Sequence, residues 1–404
     1  MKSNKTISVI GLGYIGLPTA LMLAAHGSKV IGVDIDRKRI EMLQSGKLPF
    51  TEDGLDALFE TAMQNITFTE KHVHADMYIL TVATPFDTLT KRIDTQYLMQ
   101  ASYDVLKVCH KDDIIIIEST VSPGTIEKFV RPVFSDACIH LVHAPERIMP
   151  GQLVSELVSN ARTIGADNTI IAQRVKELYE TFSKGEFVLT DIRTAEMTKL
   201  VENTFRDINI AYANELVKIC NASGMNVHDV IRIANMHPRV NILNPGPGVG
   251  GHCIPIDPWF FVGDYPTLAN LIRTARNVND SMPRFVLERI MQIADSKGIT
   301  VMSKIGFYGL TYKEDVDDIR ESPTLQLLEE MHKHMADQPR VYDPLVKQQI
   351  VINQVFSMND FLVGLEMIVV MIAHNEILTC KESLSGKVIL DTRNALGLEG
   401  TFLL

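Results

Sequence analysis

Ile7-Ser-Val-Ile-Gly-Leu-Gly-Tyr-Ile-Gly16 is a short apolar run closed by Gly11, Gly13 and Gly16, and with the residues up to Asp34 it decides how the rest of the chain is read. A helical stretch, Leu17 to His26, comes next, and a second apolar run, Lys29-Val-Ile-Gly-Val33, ends on Asp34. Strand, glycine turn, helix, second strand and terminal carboxylate, in that order, make a dinucleotide-binding βαβ unit. Gly11 makes the turn, Gly13 lets a pyrophosphate come close to the backbone, and Gly16 lets the helix pack on the strand. Tyr14 and Ile15 complete the turn, which delivers the helix N-terminus to the phosphates. Asp34 is expected to accept hydrogen bonds from the adenosine ribose and to repel a 2′-phosphate, so the expected cofactor is NAD rather than NADP. Arg37, Lys38 and Arg39 lie close after it and oppose that preference.

Outward from this unit the alternation continues. Met77-Tyr-Ile-Leu-Thr-Val82, Asp113-Ile-Ile-Ile-Ile-Glu118 and His140-Leu-Val-His143 are short, apolar and rich in β-branched residues, the pattern of a parallel sheet. Polar residues gather after each run, at Ala83-Thr84-Pro85, Ser119-Thr120 and Ala144-Pro-Glu-Arg147, where ligands lie in a doubly wound sheet. From Thr194 to Ser223 apolar residues recur at three- and four-residue intervals with no proline or glycine, which predicts one long helix. Glu196, Lys199 and Asn203 share a face of it. A third segment begins near Ser303, with strands expected at Lys304–Leu310, Arg340–Tyr342, Met367–Met371 and Lys387–Leu390 and a helix at Leu325–Met335. The expected architecture is α/β: two Rossmann-like doubly wound lobes joined by the long central helix and a helical middle domain. The expected divisions are 1–193 for cofactor binding, 194–298 for the helical domain and 299–404 for the last lobe.

Bulk properties set limits. The 404 residues, 46% hydrophobic and 22% charged, suit a folded globular protein of two or three domains. A net charge of −10 argues against a nucleic-acid or anionic-membrane partner. No apolar stretch is long enough to span a bilayer, and Met1-Lys-Ser-Asn-Lys5 leads straight into the first strand, which leaves no signal peptide to expect. Cys109, Cys138, Cys220, Cys253 and Cys380 are an odd, scattered set without Cys-x-x-Cys, as in a reduced cytoplasmic protein without structural zinc.

Cys253 stands apart because of its neighbours. In Asn244-Pro-Gly-Pro-Gly-Val-Gly-Gly-His-Cys-Ile-Pro-Ile-Asp-Pro258, glycines and prolines deny helix and strand and hold one thiol in place, with Asp257 four residues on. An inert buried thiol in a tight loop is the bland alternative for an isolated cysteine. His252 and His143 suit loop or core packing, Trp259 and Phe260-Phe261 a core, and the acidic run Glu314, Asp315, Asp317, Asp318 a solvated loop near cations rather than a metal site.

The glycine fingerprint, Pro145-Glu-Arg147, Ala195-Glu-Met-Thr-Lys199 with Asn203, Gly248-Val-Gly-Gly-His-Cys253 with Asp257, and Gly309-Leu-Thr-Tyr-Lys313 through Arg320-Glu-Ser-Pro323 occur in the order seen in the UDP-sugar 6-dehydrogenases. The resemblance covers essentially the whole chain. Within the family, Ala144–Gly151, His237-Pro-Arg-Val-Asn241 and Pro245–Cys253 look most like the UDP-N-acetylmannosamine dehydrogenases of bacterial surface-polysaccharide pathways.

The resemblance implies two successive NAD-dependent oxidations at C6 of a UDP-sugar, alcohol to aldehyde to acid, the second through a thiohemiacetal and thioester on Cys253. It implies that Lys199 and Asn203 hold the developing oxyanion, that Asp257 and Thr120 position a hydrolytic water, and that Glu146 acts as base or binds that water. Substrate contacts are implied for Glu146, Arg147, Lys199, Asn203, Gly250, Lys313 and Arg393, and for Arg239 across a subunit boundary. Thr84, Thr120, Arg39 and Arg320 join the glycines on the cofactor side, and a homodimer or higher homo-oligomer is expected. Two departures stand out: Pro150 where UDP-glucose dehydrogenases often carry a second acid, which points away from glucose, and Pro255 where the mannosamine enzymes often have alanine. UDP-N-acetylglucosamine or UDP-glucose as substrate stays open, as does a regulatory NAD- or nucleotide-sugar-binding protein, which would have no use for a nucleophile beside oxyanion donors.

Overall fold

Parallel strands buried on both faces need side chains that are apolar throughout, and the first sheet is built from such runs. The computed structural model describes residues 5–334 and 338–404. The chain divides into two compact units, Met1–Glu202 and Asn203–Leu404. In the first unit the strands are β1 (Thr6–Ile10), β2 (Lys29–Val33), β3 (Ile66–Thr69), β4 (Met77–Leu80), β5 (Ile114–Ile117), β6 (His140–His143), β7 (Arg162–Ala166) and β8 (Phe187–Thr190). They form one sheet in the order β3-β2-β1-β4-β5-β6-β7-β8. The first six strands give the order expected of a dinucleotide-binding sheet. Along β5 the side chains alternate between two cores: Ile114 and Ile116 join Val9, Leu21 and Ile79, and Ile115 and Ile117 join Leu80, Leu98 and Val130.

One pairing breaks the parallel pattern. Strand β7 runs antiparallel to β6, with Val142 opposite Ala166 and His143 opposite Gly165. Carried three residues beyond β6, that register sets Glu146 opposite Arg162, at the end of the sheet where the polar turns gather. Gly165 is also where the long helix meets this sheet: a Cβ there would stand 2.6 Å from the Asp191 carbonyl oxygen and 2.7 Å from the Ala195 Cβ.

The long helix spans Ile192–Ala222, 31 residues, about 46 Å at 1.5 Å per residue. It begins two residues before the expected start and ends one before the expected end. Gly224, with φ +68°, supplies the left-handed stop, and the Met225 N–H returns to the Cys220 carbonyl at 2.9 Å.

In the second unit β9 (Ile305–Tyr308), β10 (Arg340–Tyr342), β11 (Gln354–Val355), β12 (Met367–Val370), β13 (Val388–Asp391) and β14 (Phe402–Leu403) form a sheet in the order β11-β10-β9-β12-β13-β14. Counted from its own first strand, this repeats the order of the first sheet's six leading strands. The likeness extends to the turn. Gly11 (φ +94°) and Gly309 (φ +98°) come directly after the first strand of each sheet. Each donates its N–H at 2.8 Å to the end of the neighbouring strand, at Val33 and Tyr342. Each next residue then donates to a carboxylate, Leu12 to Asp34 at 2.7 Å and Leu310 to Asp343 at 2.6 Å. The carboxylates differ in company. Asp34 also accepts from Asp36 N–H and Arg39. Asp343, 1% exposed, accepts from Thr311, Leu345 and Val346 N–H and from the His374 ring. His374 Nδ1 takes the Asp315 N–H, which leaves the ring proton on Nε2 for Asp343.

The other expected strands lie within one or two residues of their predicted ends. The expected helix Leu325–Met335 is found as Pro323–His334, with Met335 outside the described residues. Strands β3, β7, β8, β11 and β14 were not expected.

Candidate active site

The first βα turn has the geometry its glycines imply. Beyond Gly11, an added Cβ at Gly16 would overlap the Gly11 carbonyl oxygen and Thr81 Oγ1, so helix Gly16–Ala25 packs against the strand only as glycine. Nothing of the chain lies within 4 Å of where a Cβ of Gly13 would stand. Ile15 at the N-cap has no side chain able to cap the helix; the Leu17 and Thr19 N–H groups return to the Gly13 and Ile15 carbonyls at 3.1 and 3.2 Å, and Pro18 carries no N–H. Tyr14 stacks on Phe50 with ring centroids 4.3 Å apart. Arg39 forms a 2.8 Å ion pair with Asp34, so the one cation of the Arg37–Arg39 run near this carboxylate is matched by it. These residues fit a dinucleotide with an unphosphorylated ribose.

At the carboxyl ends of the next strands, Thr84 Oγ1 donates to the Thr120 carbonyl at 2.7 Å and Ser119 Oγ to the Val82 carbonyl at 2.6 Å, which ties the loops after β4 and β5 together. The Thr120 loop is braced by the long helix. The buried Glu196 carboxylate accepts the N–H groups of Gly124 and of Ile126, the latter at 2.9 Å. Burial pushes its pKa up, against the pull of those two amides. Lys199, one turn on, is 8% exposed. His143, fully buried, donates from Nδ1 to the Ile117 carbonyl at 2.9 Å. Burial, and then the Lys199 charge, hold it neutral with a pKa pushed down to about 4, while the Ile117 bond resists.

Glu146 lies just past β6 and is 5% exposed. Its Oε1 accepts the Arg147 N–H at 3.2 Å and its Oε2 the Arg162 Nη2 at 2.8 Å. The Arg147 guanidinium is turned to its own unit: Nε to Glu202 at 2.9 Å, Nη1 to the Ala161 carbonyl at 2.7 Å and Nη2 to Thr163 at 3.1 Å. Arg162, which the sequence reading missed, is the residue that meets Glu146. Its only signal was a charged residue opening an otherwise apolar run.

In the second unit the cysteine loop is gripped from several sides. Gly246 N–H donates to Asn214 Oδ1 at 2.9 Å, and Gly251, at φ +90°, donates to the Arg320 carbonyl at 2.9 Å. A Cβ on Gly250 would stand 2.5 Å from the Tyr312 Cβ and 2.7 Å from the Glu321 carbonyl oxygen. The loop therefore lies against the segment after β9 with no space between. Its end turns into helix Asp257–Asp264, where the Asp257 N–H returns to the Cys253 carbonyl at 2.9 Å. Asn203 Nδ2 donates to the buried Asp257 carboxylate at 2.6 Å. Thus three expected site residues of this unit, Cys253, Asp257 and Asn203, stand on one hydrogen-bonded framework, with the thiol exposed.

Two acids of the segment after β9 are used by arginines. Glu314 accepts from Arg393 at 2.7 Å, and Asp318 from Arg320 Nε at 2.9 Å. Lys313 is half-buried beside them. Arg239 is exposed, on the turn after helix Val227–Ala234.

A glycine-turn sheet with a carboxylate at the end of its second strand, together with a loop-mounted thiol and a nearby carboxylate, is the equipment of an NAD-dependent dehydrogenase. Three family models cover the chain: the UDP-glucose/GDP-mannose dehydrogenase family NAD-binding domain over residues 5–183, its central domain over 193–281 and its UDP-binding domain over 306–397. The chain belongs to this family. It is similar to a Methanococcus vannielii protein named UDP-N-acetyl-D-mannosamine dehydrogenase, 43% identical over 97% of this chain and 93% of the relative. It is also similar to a Ralstonia nicotianae NDP-N-acetyl-D-galactosaminuronic acid dehydrogenase, 39% identical over 96% of each chain. Among solved structures, the UDP-N-acetyl-mannosamine dehydrogenase of Staphylococcus aureus superposes with a TM-score of 0.88 at 39% identity, covering 98% of this chain and 97% of that one. Among the described residues no helix is long and apolar enough to cross a membrane.

Proposed function

We propose that this chain oxidises UDP-N-acetyl-D-mannosamine at C6 in two steps to UDP-N-acetyl-D-mannosaminuronate, in the cytoplasm, as a homodimer or larger homo-oligomer, for surface polysaccharide synthesis. The observation that carries the reading is the hydrogen-bonded framework of Cys253, Asp257 and Asn203, in a chain whose relatives at 43% identity bear that enzyme's name. The division 1–193, 194–298 and 299–404 is the matching assignment of labour: cofactor, helical middle and UDP.

NAD supplies the hydride acceptor in both oxidations, and the chain supplies the rest. In the first oxidation the C6 hydroxyl gives its proton to a neighbouring water and C6 gives up its hydride, and Lys199 and Asn203 donate to the oxygen on which charge develops. The Cys253 thiolate then adds to the aldehyde carbon. A C–S bond forms, and the carbonyl oxygen takes up charge that the same donors hold. When hydride leaves that carbon, the carbonyl re-forms as a thioester. Asp257 and Thr120 orient a water and Glu146 takes its proton; water oxygen bonds to carbon, the C–S bond breaks, and the carboxylate leaves with the thiol restored. Lys313, Arg393 and Gly250 are assigned to nucleotide and sugar, Arg320 to the cofactor, and Arg239 to the substrate of a second copy. Arg147, with its guanidinium engaged by Glu202, Ala161 and Thr163, supports the loop of Glu146 rather than touching substrate.

The test is NADH formed per molecule of limiting sugar. Two per UDP-N-acetylmannosamine, with little from UDP-N-acetylglucosamine, UDP-N-acetylgalactosamine or UDP-glucose, and none in Cys253→Ala, is expected. One NADH per sugar would overturn the thioester step, and preference for another sugar would overturn the substrate.

A further inference from the structure

Behind Glu146 the first unit buries ionisable side chains that take no part in the two oxidations or the hydrolysis. Arg162 and Glu118 are each 2% exposed and Tyr179 is 0% exposed. Arg162 gives Nη2 to Glu146 Oε2 at 2.8 Å and holds Nη1 3.9 Å from Glu118 Oε1. Its guanidinium lies over the Tyr179 ring, 4.5 Å from the centroid. The Tyr179 hydroxyl donates to Glu118 Oε1 at 2.5 Å, and Thr19 to Glu118 Oε2 at 3.4 Å. Among the described residues, Arg162 Nε and Nη1 have no hydrogen-bond partner.

As a device for holding β7 this is a poor choice, because a buried arginine with unmet donors stabilises less than an apolar side chain of its size. Two carboxylates also share one cation in a buried site, and full ionisation would leave a surplus negative charge there. The antiparallel strand is what places this arginine opposite Glu146.

We propose that Arg162 is a positioning residue for Glu146, and that Glu118, acting through Arg162, sets how basic Glu146 is. The proposal rests on the reading of Glu146 as the group that takes the proton of the hydrolytic water. The groups facing Glu118 are Arg162 from β7, Glu146 from the segment after β6, Tyr179 from helix Thr169–Tyr179 and Thr19 from helix Gly16–Ala25. Burial, with Glu146 adding to it, pushes the Glu118 carboxyl up to about 7 against the pull of Arg162, Tyr179 and Thr19. While Glu118 holds its proton, the Arg162 guanidinium is held by Glu146 alone; when Glu118 ionises, the guanidinium is shared between the two carboxylates and its hold on Glu146 loosens, which frees that carboxylate for the water. Release of the thioester therefore speeds up as Glu118 loses its proton.

The test uses the full chain and Glu118→Gln, which keeps an acceptor for the Tyr179 hydroxyl but cannot titrate. Pre-steady-state NADH reports thioester formation, and the steady-state rate reports its release. The wild type is expected to show a second rise in release rate, of about fivefold, through neutral pH. Glu118→Gln is expected to lose that rise with the NADH burst and the KM for sugar unchanged. A wild-type release profile in Glu118→Gln overturns the proposal. Infrared pH-difference spectra of the free protein supply a readout that needs no turnover. A protonated-carboxyl signal that titrates near neutrality is expected in the wild type, absent in Glu118→Gln and moved to higher pH in Tyr179→Phe, which loses the donor. Persistence of the signal in Glu118→Gln overturns the assignment to Glu118. Absence of NADH with every UDP-sugar would sink the enzymatic reading and leave the infrared result standing.

Discussion

Glu118 and His143 should pull the stability of the first unit in opposite directions over the same pH range, so that neither is visible until the other is removed. The Glu118 carboxyl is raised from 4.5 to about 7, chiefly by burial. Between those values the unfolded chain has lost this proton and the folded chain keeps it, so stability falls as pH rises. The slope is about 1.4 kcal/mol per pH unit. The His143 ring is lowered from 6.5 to about 4, again chiefly by burial. Between those values the unfolded chain binds a proton that the folded chain refuses, so stability rises with pH at the same slope of about 1.4 kcal/mol per unit. From pH 4.5 to 6.5 the two nearly cancel. Glu118→Gln should leave the His143 slope exposed and gain about 3 kcal/mol across that window, while His143→Gln should lose as much. For a unit of this size each change is about 8 °C in Tm. Scanning calorimetry of the full chain measures it, with the transition of the first unit identified as the one that NAD raises. The slopes are the observable; the offset each substitution causes is irrelevant. If the two variants keep parallel pH dependences, the reasoning is refuted.

Three further outcomes are expected. Gly16→Ala, whose methyl would overlap the Gly11 carbonyl and Thr81 Oγ1, should cost about 2 kcal/mol of stability and weaken NAD binding at least about tenfold, measured by calorimetry and NAD titration. Glu196→Ala strips the acceptor from the Gly124 and Ile126 amides; a loss of about 2–3 kcal/mol and a fall in kcat with the KM for NAD little changed would be seen in unfolding curves and steady-state kinetics. Gly250→Ala has no room beside the Tyr312 Cβ and the Glu321 carbonyl, so it should slow Cys253 alkylation by iodoacetamide by about an order of magnitude or more, and Tyr312→Gly in the same chain, which removes that Cβ, should restore part of the rate.

What the sequence discloses depends on whether a residue's role is local. The glycine turn and Asp34 are legible because turn, helix and strand are consecutive, and their geometry allows few residues. The loop around Cys253 is legible for the same reason, since its glycines and prolines exclude other structures. Roles that depend on a distant strand are not. Arg162 opens a short strand that was not expected, and only the antiparallel β6–β7 register reveals that it faces Glu146. Glu196 shares a helix face with Lys199 and Asn203, yet its carboxylate caps a loop 70 residues away in sequence. Arg147 adjoins Glu146, but successive side chains diverge, and its guanidinium goes to Glu202 and the β7 approach. Strands β11 and β14 were missed because two-residue strands carry no period.

The repeated turn has a consequence for the order of events in a catalytic cycle. Asp343 holds the place in the second sheet that Asp34 holds in the first, but four backbone amides and the His374 ring saturate its oxygens. A ribose has nothing left to bond there, so the second sheet does not repeat the berth for coenzyme that the first sheet's turn offers. A reaction that removes two hydrides must then empty and refill that berth midway. The half-oxidised sugar has to remain in place throughout the exchange, and in the proposed mechanism a bond to Cys253 is what keeps it.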